Sequence, residues 1–140
     1  SSFREAGWRD ALAARGIDAS EPLRGDWTAD SGYEAGAALA RDAAATAVYA
    51  ANDQMALGVV EALRDAGRRV PEDVSVVGVD DSLRDTVPHV GLTTVRFDLV
   101  ARGRAAVEQA LLGTAPGYRP RAIRIPPTLV ERSSVADARR

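Results

Sequence analysis

Apolar residues along this chain follow two rhythms, and the change from one to the other lays out a fold. Short apolar runs of strand length stand at residues 46–51 (TAVYAA), 74–79 (VSVVGV) and 92–97 (LTTVRF). Around them, apolar residues recur at three- and four-residue spacing, which is the period of one helix face. The run at 46–51 reads as a strand buried on both faces. It passes straight into a helix at 53–66, with Asn52 as its N-cap. In that helix Met55, Val59, Ala62, Leu63 and Ala66 form the stripe expected to face a sheet. Ala56, Leu57 and Val60 form a second stripe beside it. A helix covered on one side needs no second stripe, so a further partner, such as another subunit, is expected there.

The rest of the chain reads in the same terms. A helix is expected at 3–15, opened by the capping box of Ser2 and Glu5 and stopped by Gly16. Residues 17–23 read as a weak strand or an extended loop, and Trp27 sits in a loop beyond them. A second capping box, Ser31 with Glu34, opens a helix to about residue 45. Its small stripe of Tyr33, Gly36, Ala37, Ala40 and Ala44 suits close packing against a sheet. Pro71, Glu72 and Asp73 make a turn before the run at 74–79. Residues 80–91 are polar and irregular and contain His89. Asp98 can cap a helix at 99–112, which has Val100, Gly103, Val107 and Leu111 on one face and Gly113 at its end. Residues 121–125 and 128–131 read as edge strands split by Pro126 and Pro127. Residues 136–140 read as a frayed tail. Helices alternating with strands predict an α/β fold, a Rossmann-like parallel sheet flanked by helices.

Composition narrows the chemistry. A chain of 140 residues is the size of one domain and can bury a core without staples. It has no cysteine and one histidine, so disulfide frameworks, thiolate sites and His-based metal clusters are excluded. Formal net charge is −2, with no basic block, so no footprint for nucleic acid is visible. No apolar run is long enough to span a bilayer, and the first residues do not form a signal peptide. The chain opens on a helix with no strand before it and no initiator methionine, which suggests a fragment.

Polar residues at the carboxyl ends of strands are the candidate site, because open α/β sheets bind ligands in that crevice. Asn52 follows one strand, and Asp80 and Asp81 follow the next. Arg4, in the first turn of the first helix, and Trp27 are expected at the same edge. A carboxylate and a guanidinium can grip vicinal hydroxyls, and an indole can cover the apolar face of a sugar. The plainer readings are a helix cap for Asn52, a solvated turn for Asp80 and Asp81, a surface arginine for Arg4 and loop packing for Trp27. Trp8 reads as core or boundary packing. A phospho-receiver would need a third aspartate and a lysine, and the chain has no lysine. A hydrolase elbow, a Walker motif and GxGxxG are also absent, which leaves binding without catalysis and without a cofactor.

These residues carry a resemblance. The segments AANDQMALG, VPEDVSVVGVDD, LTTV, RFDLVARGRAAVEQAL and LVERSS, with FREAGWRDALAARGI and GDWTADSGYEAG upstream, resemble the effector-binding domain of the LacI/GalR family of transcription repressors. The resemblance covers nearly the whole chain in order. It implies a type I periplasmic-binding-protein-like fold in which two Rossmann-like subdomains clasp a small molecule, with most of this chain in the C-terminal one. It divides the chain into that subdomain at 1–95, a crossover into the other subdomain at 96–117, returning strands at 118–132 and a tail at 133–140. Arg4, Trp27, Asn52 and Asp80 match effector-contacting positions of lac-like members. Where those members carry a glutamine and a phenylalanine in the pocket, this chain has Phe97 and Leu99, which implies a ligand other than a β-galactoside. Dimer contacts are implied at Gln54, Leu57, Val60, Arg84, Val87 and Pro88. The expectation is a cytoplasmic, sugar-responsive repressor, homodimeric and not membrane-bound, that meets operator DNA through a helix-turn-helix outside this chain. The alternative is the solute-binding protein of an ABC sugar importer.

Overall fold

The computed structural model describes residues 2–83 and 91–137. The elements run in the order α1 (Ser2–Ala13), α2 (Ala29–Ala40), β1 (Ala47–Tyr49), α3 (Asp53–Asp65), β2 (Ser75–Val79), β3 (Thr93–Arg96), α4 (Leu99–Leu112) and β4 (Thr128–Val130). One four-stranded sheet has the order β1-β2-β3-β4. The first three strands are parallel, in register at Val48 with Val76 and at Gly78 with Thr94, and β4 is antiparallel to β3. The α/β reading therefore holds, with one antiparallel edge added.

Valines make β2 the centre of the core. Val74, Val76 and Val79 are buried, and the first two pack with Ala50, Ala56, Val59, Leu63 and Leu92. By contrast β1 is not buried on both faces as expected: Tyr49 is 42% exposed. The reason is topological. Among the described residues β1 pairs only with β2, so it is an edge strand.

α3 lies between the sheet and α2. Ala56, expected on a second stripe, is fully buried, while Ala66 is exposed at the helix end. Glycines allow the α2–α3 approach. A Cβ on Gly32 would stand 2.2 Å from the Met55 carbonyl oxygen, and one on Gly58 would stand 2.0 Å from that of Ala29. The small face of α2 thus serves α3 rather than the sheet, and its buried residues are Gly32 and Gly36. The helix also begins and ends earlier than expected. Thr28 caps it by accepting from the Ser31 N–H, and Arg68 donates to the Leu39 carbonyl in its last turn and to those of Asp42 and Ala45 just past its end.

α1 stops at Gly16, whose φ of 68° is the left-handed conformation expected there. At its N-terminus Ser2 is already helical, and the Glu5 carboxylate, expected in a capping box, accepts from Arg9 and Arg24. Asp98 caps α4 through the Ala101 N–H as expected. No residue of α4 is buried, so Val100, Val107 and Leu111 face no partner among the described residues. Residues 121–125 form no strand. Ser134, in the stretch read as a tail, is buried: its hydroxyl accepts from the Thr93 N–H and donates to the Val76 carbonyl.

Candidate functional site

The site is built where β1 runs into α3. Asn52 adopts extended backbone, and its Oδ1 accepts from the Met55 N–H at 2.9 Å, closing the first turn of α3. Its Nδ2 donates to the Trp27 carbonyl, also at 2.9 Å. The Trp27 loop is thereby fastened to the end of β1. Arg4 completes the join: Nη1 donates to the Ala51 carbonyl at 2.6 Å, and its guanidinium lies 5.6 Å from the centre of the Trp27 ring. Three of the residues singled out in the sequence, Arg4, Trp27 and Asn52, are therefore brought together. Trp27 is half exposed, with a φ of 77°. That left-handed turn is held by Asp26, whose carboxylate accepts from the Thr28 hydroxyl and N–H. Those bonds, with Ser31, keep the Asp26 carboxyl down at about 2. A substitution of Asp26 by alanine is expected to release the loop and raise acrylamide quenching of Trp27 fluorescence. Unchanged quenching would show that Asp26 does not hold the loop.

Asp80 stands at the end of the neighbouring strand β2, exposed, with its N–H donated to the Val95 carbonyl. Its φ is 104°, an uncommon conformation for a residue with a Cβ. Among the described residues no side-chain hydrogen bond joins it to Arg4, Trp27 or Asn52. Phe97 and Leu99 are not gathered with them. They follow β3, two strands from β1; the Phe97 ring carries Arg102 at 5.4 Å, and Leu99 is largely exposed.

Two carboxylates that the sequence did not single out for burial form the foundation of this edge. Asp53, the first residue of α3, is 1% exposed. Its Oδ1 accepts from the Thr94 hydroxyl at 2.6 Å and its Oδ2 from the Ser82 N–H at 2.8 Å. Gly78 makes room for it, since a Cβ there would lie 2.3 Å from Oδ1. Burial pushes the Asp53 carboxyl up, more than Thr94 and Ser82 pull it down, and the charges of Asp80 and Asp81 push the same way. Asp81 is the opposite case. Its side chain is 4% exposed and accepts from both Arg96 and Arg132 at 2.6 Å. Burial raises its carboxyl, but the two arginines outweigh burial and hold it below the usual range. An acidic residue directly after a cap, and a paired rather than single aspartate at a strand end, were the available signals.

On another face of α3, Leu57 and Val60 are half-buried against the core and line a cavity of about 150 Å³ with Arg64, Val70 and Leu92, while Gln54 is exposed. Arg84, Val87, Pro88 and His89 lie outside the described residues. A separate groove of about 240 Å³ runs from Arg4 past Trp8, Leu23 and Tyr49 to Met55, and does not include Trp27, Asn52 or Asp80. Among the described residues no cluster of acidic or histidine side chains is placed to hold a metal ion, and no helix is long and apolar enough to cross a membrane.

Known proteins share this architecture. Residues 1–135 match the model of the periplasmic binding protein-like domain family. The HTH-type transcriptional regulator GalS of Salmonella typhimurium is 42% identical over 96% of this chain, which spans 41% of that regulator. The structure of a dimeric Lac repressor with a C-terminal deletion superposes with a TM-score of 0.83 at 33% identity, over 96% of this chain and 50% of the other. A LacI family regulator from Enterococcus faecium with bound ribose also gives 0.83, at 28% identity, over 97% of this chain and 52% of that one. The chain thus covers about half, or less, of the length of the proteins it matches. The match across nearly its whole length shows that the chain belongs to the periplasmic binding protein-like domain family, in the form carried by LacI/GalR-type regulators.

Proposed function

We propose that this chain is the sugar-binding and dimerising part of a LacI/GalR-type transcriptional repressor. The observation that carries the reading is the gathering of Arg4, Trp27 and Asn52 at the carboxyl end of β1, one strand from the exposed carboxylate of Asp80. The half-exposed indole offers an apolar plane to a sugar ring. Asp80 offers exposed side-chain oxygens as acceptors for hydroxyls, and Arg4 offers the guanidinium N–H groups that Ala51 does not take. Asn52 uses its Oδ1 and one Nδ2–H on the protein, so its first task is to place Trp27; the second Nδ2–H is the group it can offer to a ligand. Residues 1–95 are the C-terminal subdomain, 96–117 cross to the other subdomain, 118–132 return and 133–140 trail, as the resemblance implies. In the whole protein a sugar seated between subdomains acts by unequal affinity for the DNA-competent and DNA-weak states. The role is binding rather than catalysis, the setting cytoplasmic, and the contact with operator DNA is made by a part of the protein outside this chain. The relatives are named as regulators, which favours this reading over an importer's solute-binding protein.

The test is calorimetry of the full-length protein against D-galactose, D-glucose, D-ribose and methyl β-D-galactoside. Asp80→Ala is expected to weaken the sugar that binds by roughly tenfold or more, the loss of charge-assisted hydrogen bonds to hydroxyls. Binding that is unchanged in Asp80→Ala removes Asp80 from the site.

Leu57 and Val60, half-buried on the face of α3 with Gln54, support a dimer formed through this helix. Leu57→Glu is expected to sediment as a monomer at concentrations where the wild type is a dimer, because an interface core does not accept an unpaired carboxylate. A dimer that persists unaltered would place the interface elsewhere.

A further inference from the structure

The turn that carries Asp80 has two consecutive residues in left-handed backbone, Asp80 at φ 104° and Asp81 at φ 54°. Such backbone is costly for residues with a Cβ and persists where the surroundings over-determine it. Here they do. The Asp81 carboxylate holds two arginines that belong to different passages of the chain. Arg96 is the last residue of β3, where the chain leaves the sheet, and donates through Nε at 2.6 Å. Arg132 follows β4, where the chain has come back, and donates through Nη2 at 2.6 Å while its Nη1 bonds the Leu92 carbonyl. Between them lies 97–127, which includes α4 with no buried residue. A buried carboxylate shared by two arginines is weak evidence for stability, since apolar packing could supply as much. It does make the position of the turn depend on where both passages stand.

We propose that Asp81 is a positioning residue for the ligand carboxylate Asp80: it ties the turn bearing Asp80 to the end of β3, where the chain leaves the sheet, and to the segment just beyond β4, after the chain has come back. This rests on the sugar-binding reading above and extends it, because one carboxylate then joins the turn to both passages, beside the backbone bond that already ties it to β3. The Asp80 N–H on Val95 and the Ser82 N–H on Asp53 fasten the same turn from either side of Asp81.

The experiment compares Asp81→Asn, Arg132→Gln and the double variant with wild type in the full-length protein, by residue-level amide exchange and by calorimetry with the same four sugars. Either single change is expected to speed exchange at the Asp80 and Ser82 amides, leave the α3 amides protected, and weaken sugar binding roughly tenfold. The double variant is expected to be no weaker than Asp81→Asn alone, since both changes break the same contact. Wild-type exchange at Asp80 in both single variants would overturn the proposal. So would exchange raised equally throughout α2 and α3, which would mark the cluster as a general stabiliser. Arg132→Gln keeps the test open should Asp81→Asn not fold. If Asp80→Ala abolishes binding while the Asp81 and Arg132 variants bind as wild type, the positioning role fails and the sugar site stands. If none of the four sugars binds wild type, that sugar reading fails and the exchange comparison alone decides the positioning role.

Discussion

Gly58→Ala is expected to lower the unfolding midpoint by roughly 6–10 °C, taking ~1 kcal/mol to shift a domain of this size by about 3–5 °C. Two effects oppose each other. Alanine is a better helix former than glycine by about 1 kcal/mol. Against that, the added Cβ would sit 2.0 Å from the Ala29 oxygen and 2.6 Å from the Tyr33 nitrogen, both backbone atoms that no rotamer change can move. The two helices must separate, and overpacking of this kind costs about 3 kcal/mol. The steric term wins, with a net loss of ~2 kcal/mol on those two figures. Gly103 is the control. It lies within α4, and an added methyl there would meet nothing within 4 Å, so Gly103→Ala is expected to be neutral or to stabilise. Thermal unfolding followed by circular dichroism separates the two, and a Gly58→Ala variant as stable as wild type would mean that α2 can withdraw freely.

Asp53→Ala is expected to cost about 3 kcal/mol, because it takes the acceptor from the fully buried Thr94 hydroxyl and from the Ser82 N–H and leaves a hole where Asp53 was buried. Asp53→Asn should cost far less. The Asn oxygen can serve Ser82, and the Thr94 hydroxyl can turn to accept from the new amide. The variants also differ with pH. Burial raises the folded pKa of Asp53, so its contribution is fully present below the unfolded value of about 3.9 and is lost as pH rises through the folded value. Asp81, held down by Arg132 and Arg96 against burial, contributes above its unfolded value and loses that contribution as pH falls through the folded one. In denaturant titrations from acid to neutral pH, Asp53→Asn should therefore gain on wild type and Asp81→Asn should fall behind. Parallel curves for Asp53→Asn and wild type would contradict a raised, buried carboxyl at this position.

The residues most easily read from the sequence were those whose role is local. Asn52 and Asp98 cap the helices that follow them, and Gly16 stops α1, because a cap is decided within four residues of itself. Local signals misled where two devices competed. Ser31 and Glu34 offered a capping box, but Thr28 three residues earlier took the cap and Ser31 joined the Asp26 turn instead. Similarly, Glu5 had two arginines within reach, one of them from the loop at Arg24, and its carboxylate, expected in a cap, pairs with both.

Periodicity, turn residues and caps, by themselves, determined that the chain is α/β, that Asn52 and Asp80 lie just past the carboxyl ends of two strands, and that α3 needs more than one partner. Tertiary structure alone decided which partner takes which face. Gly32, Gly36 and Gly58 turned α2 onto α3, since only an absent side chain lets two backbones approach so closely. It also decided that Asp53 and Asp81 are buried: their partners Thr94, Arg96 and Arg132 lie far along the chain, and neither spacing nor propensity reports a contact that forms only when the sheet is assembled.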